Sequence, residues 1–502
     1  MTSPSGGRKS ESGGEDRTVF EHFWQGYSNE VSAKSMLLNK DADAIKDSDR
    51  DDALAFLPQL EGKRVLELGA GIGRFTGPLA STGASRVLAT DFIDSFLQKN
   101  KEVNGHLANV ELQLVDATGV DHQPNSWDFV FTNWLLMYLT DEETVSLSMD
   151  VLKWLSPGGH VHIRESCSEP SGGKSNASSM HKSDAPNPTH YRHSSVYQRL
   201  FESVRWVDGT DGRLYRFRVL WARPIPTYVH VYKNWRQVHW LLQKEPAPDQ
   251  NKSASTMVGD LTPKLEGEWL QRQMAIDEAF GAAAALESPI TKKLVEWMKG
   301  SAEKPRQDSR LLVLNWKHEG CHFGAVDAAI LRKELDCLVM GVESDPWLFR
   351  CRLNAACQRG DTKLLYHWAS FDGASTESLP PLVGCCDAVA TFAIVRGDAA
   401  QELDPLVQAL RAISSERKLR LHLMVLDVTG REQLQTDGVG VWKKAVDAIE
   451  GLSAVRVEKL DSGAVADVKE FSATMEKLQM QSDPKLAWET ARLFLVEGQI
   501  QA

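Results

Sequence analysis

Residues 64 to 77 read RVLELGAGIGRFTG: a strand-forming apolar run with an acid near its end, three glycines at alternate positions, and then the start of a helix-forming stretch. Glycine directly after a buried strand lets the chain turn with φ > 0 and lets a ligand approach the backbone where a Cβ would stand in the way. The helix that follows turns its free N–H groups toward that ligand. An ordinary tight turn is the plain alternative.

The surroundings favour the ligand loop. From about residue 60, RVLEL (64–68), RVLATD (86–91), VELQLVD (110–116), WDFVFTN (127–133) and HVHIRES (160–166) are rich in β-formers and alternate with amphipathic stretches. This is the signature of βαβ units in a parallel sheet. TDGR (210–213), between VRWVD and LYRFRVLWA, predicts a hairpin, so the last strands are expected to run antiparallel. SEPSGGKSNASSMHKSDAPNP (168–188) follows the fifth strand as a loop, and QKEPAPDQNKSASTMVGD (243–260) has the composition of a linker.

The second half repeats the first without its glycines. VLNWKHEGC (313–321) aligns with VLELGAGIG (65–73), putting Asn315, Lys317, Glu319 and Cys321 where Glu67, Gly69, Gly71 and Gly73 stand. LVMGVES (338–344) aligns with VLATDF and carries Glu343 in place of Asp91, and CDAVATFAIV (386–395) aligns with WDFVFTNWLL. The expected organisation is a tail over 1–17, a catalytic α/β domain over 18–245, a linker over 246–264 and a degenerate copy over 265–502.

Composition narrows the class. At 502 residues the chain has room for two or more domains, with 42% hydrophobic and 25% charged residues as in ordinary globular proteins. No apolar run approaches the roughly 18 residues of a membrane span, and the polar start, MTSPSGGRKSESGGEDR, has no secretory h-region. A cytoplasmic protein is expected. A formal charge of −11 argues against a nucleic-acid groove. The seven cysteines show no CxxC spacing and are expected to be free buried thiols, with no metal site.

Two cofactor classes use such a glycine loop. A dinucleotide calls for G-x-G-x-x-G/A, but the sixth position here is Arg74, and Glu67 suits an ammonium better than a phosphate. S-adenosylmethionine has an amino-acid end, a ribose and no phosphate. In that reading Glu67, Gly69, Gly71 and Gly73 receive the amino-acid end, Asp91 accepts from the ribose hydroxyls, Phe92 lies beside the adenine, Asp116 and Ala117 reach its edge, and Asn133 completes the set. The turn LSPGGHVHI (155–163) fits the fifth strand of a methyltransferase sheet.

The runs VLELGAGIGRFTGPLA, TDFIDSFLQKN, FTNWLLMYLTDEE, HIRESC and NPTHYR, in this order, resemble the first methyltransferase domain of the phosphoethanolamine N-methyltransferases over about residues 20 to 245. The resemblance implies a class I S-adenosylmethionine-dependent, Rossmann-like methyltransferase domain followed by a degenerate methyltransferase-like α/β domain. It also implies N-methylation of phosphoethanolamine, the first step toward phosphocholine and phosphatidylcholine, with later methylations left to a second methyltransferase that is a candidate partner. A methyltransferase for another small amine or carboxylate is the alternative, with the second half as a regulatory or docking module.

For the site, the resemblance points to FWQGYSNEVSAKS (23–35) as a cover segment, with Tyr27 orienting the amine and Ser28 and Ser32 as polar members. Trp134 and Tyr138 stand where family members of another subtype carry an acid and a histidine, and Tyr138 is the expected proton acceptor or relay. The phosphate is expected to meet Arg164 and His190, Tyr191 and Arg192 of NPTHYR, with Lys233 in support.

Overall fold

The computed structural model describes residues 13–27, 31–39, 41–168, 189–248, 288–301, 305–315, 326–344, 346–369, 386–396, 398–414, 419–431, 433–477 and 489–500. The chain divides into two compact units, Met1–Glu266 and Gly267–Ala502.

The first unit begins with three helices, α1 (Gly13–Gln25), α2 (Ala33–Leu37) and α3 (Ala42–Leu54). Helix α1 thus starts inside the stretch expected to be a tail. The sheet follows: β1 (Arg64–Leu68), β2 (Arg86–Asp91), β3 (Val110–Leu114), β4 (Trp127–Asn133) and β5 (Leu155–Ser166) are parallel, in the order β3-β2-β1-β4-β5. Helices α4 (Thr76–Ser81), α5 (Asp94–Asn104) and α6 (Asp141–Trp154) make crossovers. Helix α6 is held at its start by a reciprocal capping box between Thr140 and Glu143.

After α7 (Ser194–Ser203), β6 (Arg205–Val207) and β7 (Leu214–Pro224) form the hairpin predicted around TDGR. Helix α8 (Pro226–Tyr232) leads into β8 (Gln237–Pro246), which sequence patterning did not reveal. Strand β8 inserts between β5 and β7, antiparallel to both. Its QVHWLL run is buried on both faces, so it lacks the alternation that marks a half-buried strand.

The second unit holds α9 (Pro289–Lys299), β9 (Arg310–Asn315), α10 (Ala328–Leu335), β10 (Leu338–Glu343), α11 (Pro346–Arg359), β11 (Leu364–Ala369), β12 (Ala388–Val395), α12 (Ala399–Ser414), β13 (Leu419–Asp427), α13 (Gln433–Asp447), β14 (Leu452–Lys459), α14 (Ser462–Lys477) and β15 (Arg492–Ile500). Its strands order as β11-β10-β9-β12-β13-β15-β14, with β15 antiparallel to both neighbours. That is the order and polarity of the first unit, where β8 plays the part of β15. The expected counterparts Lys317, Glu319 and Cys321 lie outside the described residues, as do 169–188 and most of the linker.

In each sheet the first and fourth strands are neighbours, so the crossovers on either side leave in opposite directions. Such a switch point opens a crevice beyond the carboxyl ends of the strands.

Candidate active site

Strand β1 is buried on both faces, and this is unusual for Glu67, which is 2% exposed. Thr76 at the start of α4 donates its hydroxyl to Glu67 Oε2 at 2.6 Å. Burial, opposed by that bond and reinforced by nearby Asp91, pushes the Glu67 carboxyl up to about 8. Such a group is poised to ionise when a cation arrives.

Asp91, at the end of β2, is also buried and pushed up to about 6, chiefly by burial. Its Oδ2 accepts from Gly71 N at 2.8 Å and its Oδ1 from Ile93 N at 2.9 Å. The glycine loop and the second strand are thus tied together at the carboxylate expected to meet a diol.

Gly69, Gly71 and Gly73 all have positive φ, at 69°, 54° and 83°. A Cβ at Gly69 would meet Leu135 Cδ1 at 3.3 Å, and one at Gly71 would meet Met36 Sδ at 3.0 Å. Both glycines border a cavity. Gly73 does not: the place of its Cβ is taken by Asn100 and Asn104, and Asn104 donates to its carbonyl at 3.0 Å. It is a packing glycine between loop and α5.

The cavity lies at the carboxyl ends of β1, β2 and β4 and brings together Glu67, Gly69, Gly71, Asp91, Phe92, Ala117, Asn133, Trp134 and Tyr138. Most of the expected cofactor set therefore converges. Asp116 is not on the wall; its Oδ1 accepts from the Thr118 amide and hydroxyl, both at 2.8 Å. Adjacent Val115 and Ala117 supply the lining instead.

Phe20 and Trp24 from α1 close the cavity, and neither was singled out from the sequence. Phe20, Phe23, Trp24 and Tyr27 follow i, i+3, i+4, i+7 spacing, a signal that could have found them. Tyr27 itself is 5% exposed, packs on Phe23 and Trp24, and is not among the residues that line the cavity. Ser32 caps α2 by accepting from Ser35 N at 3.3 Å, and Ser28 lies outside the described residues.

Tyr138 is ringed by Phe20, Phe23 and Trp24, the last at 5.1 Å between centroids. Burial pushes its phenol well above the ordinary value. It therefore keeps its proton at neutral pH, and any relay must pass through the neutral hydroxyl.

The acceptor wall is held from behind. Glu165 is fully buried and accepts from three successive amides, Leu135 at 3.1 Å, Leu136 at 2.8 Å and Met137 at 3.1 Å. Arg192 donates to the carbonyls of Leu136 and Leu139 at 2.8 and 2.7 Å and pairs with Asp141 at 2.6 Å. These bonds fix the 3₁₀ turn Leu136–Tyr138. Arg192 is thereby a clamp on this turn, and it is not among the residues that line the cavity.

Arg164 is likewise not on the cavity wall. It is fully buried, paired with Asp49 at 2.6 Å, bonded to Asn133 Oδ1 at 3.2 Å and stacked 4.4 Å from the Trp134 ring. Trp134, at φ 55°, also donates its indole N–H to Gln237 at 3.1 Å. Its left-handed backbone is uncommon for a bulky residue and is held by these contacts. His190 donates its amide to Met137 O at 2.8 Å, its ring lies 5.8 Å from Phe20, and Tyr191 packs on the same aromatic cluster. Lys233 is exposed at the end of α8, off the cavity wall.

The donor set suits S-adenosylmethionine: a buried acid for an ammonium, a second acid for a diol, and apolar and aromatic surface for a purine. Among the described residues no group of His, Cys, Asp or Glu could hold a metal ion, and no helix is long and apolar enough to cross a membrane.

In the second unit, Asn315 and Glu343 pair in register at the ends of β9 and β10. Asn315 donates to Glu343 Oε1 at 3.1 Å, and Arg352 from α11 reaches Glu343 at 3.3 Å and Asp327 at 2.7 Å. The acid corresponding to Asp91 is thus met by an internal guanidinium.

Comparison with known proteins gives a family model described as a methyltransferase domain over residues 65–159. Phosphoethanolamine N-methyltransferase 1 of Caenorhabditis elegans is 50% identical over 261 residues, 52% of this chain and 54% of that protein. Phosphoethanolamine N-methyltransferase 3 of Arabidopsis thaliana is 37% identical over 287 residues, 57% and 56% of the two chains. The matched stretch thus spans about half the length of these curated relatives. The solved structure of Haemonchus contortus phosphoethanolamine N-methyltransferase 1, in complex with phosphoethanolamine and S-adenosylhomocysteine, matches with a TM-score of 0.81 at 30% identity, covering 97% of this chain and 98% of that one.

Proposed function

Since this chain belongs to the phosphoethanolamine N-methyltransferase family, we propose that it transfers a methyl group from S-adenosylmethionine to the nitrogen of phosphoethanolamine, giving phosphomonomethylethanolamine. The observation that carries this reading is one cavity in which the buried acids Glu67 and Asp91 face the aromatic wall of Trp24, Trp134 and Tyr138.

When bound, the cofactor supplies an electrophilic methyl on a sulfonium. Glu67 would hold its ammonium and Asp91 its ribose, with Phe92, Val115 and Ala117 lining the place for its base. The protein's work is then to hold the amine in line at near-attack distance and to bind it without its proton. An ammonium loses its proton more readily when water is excluded, and the aromatic wall supplies that exclusion. The neutral Tyr138 hydroxyl orients the nitrogen, and the proton leaves to solvent before the amine is enclosed. His190 and Tyr191, beside the cavity turn, are the proposed phosphate contacts, with Lys233, exposed at the end of α8, as a supporting cation.

The second unit is proposed to be non-catalytic, supported by Asn315 in place of the acid and by the Arg352 pairs at Glu343. Later methylations then fall to a separate enzyme, with which this chain is proposed to associate in the cytoplasm. The test is incubation with S-adenosylmethionine and, separately, phosphoethanolamine and its monomethyl and dimethyl forms, with products identified by mass. Turnover of phosphoethanolamine alone supports the reading; turnover of none of the three refutes it.

A further inference from the structure

Asp49, on α3, lies outside every motif of the sequence and off the cavity wall, yet it is fully buried between two arginines. Its Oδ2 takes Arg74 Nη2 at 2.6 Å and its Oδ1 takes Arg164 Nη2 at 2.6 Å. Arg74 belongs to the glycine loop, lines the cavity, and also donates to Lys46 O at 3.3 Å. Arg164 stacks on the back of Trp134 at 4.4 Å and on Tyr228 at 5.3 Å and holds Asn133. One carboxylate therefore joins the loop proposed to bind the cofactor to the wall proposed to receive the amine.

We propose that Asp49 is a positioning residue that sets both halves of the cavity at once, acting through Arg74 on the glycine loop and through Arg164 on Trp134. This rests on the methyltransferase reading above. Helix α3 is fixed independently, because Asp52 Oδ2 accepts from the amide and the hydroxyl of Thr227 at 2.6 and 2.7 Å. Loss of Asp49 alone therefore leaves the helix docked while two buried guanidiniums lose their shared counter-charge and separate. Among the described residues, the titratable groups that interact with Asp49 from elsewhere in the fold are Arg74, Arg164 and the Tyr228 phenol. None of them is an acid that can take its place.

The experiment is steady-state kinetics on the full chain for wild type, Asp49→Asn and Asp49→Glu, with Tm measured in parallel. Asp49→Asn is expected to raise KM for S-adenosylmethionine and for phosphoethanolamine together, each by about 10-fold, within the roughly 100-fold that a misplacement of about 1 Å can cost. Asp49→Glu, which keeps the charge, is expected to recover most of both. A lowered Tm with both KM values unchanged, a rise in only one of them, or a Glu variant as impaired as the Asn variant would overturn the proposal. If the Asn variant does not fold, Arg74→Gln decides, because it cuts the arm to the glycine loop alone: KM for S-adenosylmethionine is expected to rise with that for phosphoethanolamine changing less, and an unchanged KM for S-adenosylmethionine overturns the inference. A wild-type chain that turns over neither substrate would overturn the functional reading, and this one with it.

Discussion

Glu67 and Asp91 sit where burial is expensive for a charge, and neither has a basic partner in the described residues around it. The Glu67 carboxyl, at about 8 against its ordinary 4.5, stabilises the ligand-free fold fully below about pH 4.5 and loses that contribution as pH rises through about 8. An ammonium beside it reverses the preference, so binding S-adenosylhomocysteine at pH 7 is expected to release close to one proton. Calorimetry in buffers of different ionisation enthalpy measures this, and Glu67→Gln removes it. The three glycines separate into two roles. Gly69→Ala adds a methyl against Leu135 at the cavity edge, and turnover is expected to vanish. Gly73→Ala drives a methyl into Asn100 and Asn104 and is expected to lower stability by about 1–3 kcal/mol, read as a fall in Tm, with KM for the cofactor changing little in the folded fraction.

Among the elements, the 3₁₀ turn Leu136–Tyr138 is the most dependent on long-range contacts. Its amides go to Glu165 of β5 and its carbonyls to Arg192, so HIRESC and NPTHYR cooperate on one turn although some 27 residues separate them in sequence. Glu165→Gln replaces one acceptor oxygen with an amide donor facing backbone N–H groups. A buried amide left unpaired costs about 1–3 kcal/mol. The expected outcome is a Tm loss of that size together with a fall in kcat of roughly 10-fold, as Tyr138 loses its orientation; kinetics at saturating substrate reads it. The motifs marked Arg164 and Arg192, and the sequence reading assigned them to a phosphate because a guanidinium can bind two of its oxygens at once. What a linear reading could not supply was their pairing with Asp49 and Asp141, the carboxylates that engage them internally.

Across the molecule, the two units share one strand order and differ in what fills the crevice. One equivalent of S-adenosylhomocysteine is expected to bind per chain, and Gly69→Ala is expected to remove it; two equivalents by calorimetry, or one surviving in the variant, would assign a working site to the second unit. The doubled α/β pattern, the parallel strands, the glycine loop and the acids at the ends of β1 and β2 were all legible in the residues. They depend on local periodicity and on backbone conformations that few residues tolerate, so a linear reading finds them. Strand β8 was not legible, because burial on both faces erases the alternation that identifies a strand. Nor were the internal pairing of Arg164 and Arg192 or the bridging carboxylate of Asp49. Each of these depends on which charge or ring arrives from a distant part of the chain. A buried guanidinium goes to whichever carboxylate compensates its desolvation, and only the packed structure brings that carboxylate within 2.6 Å.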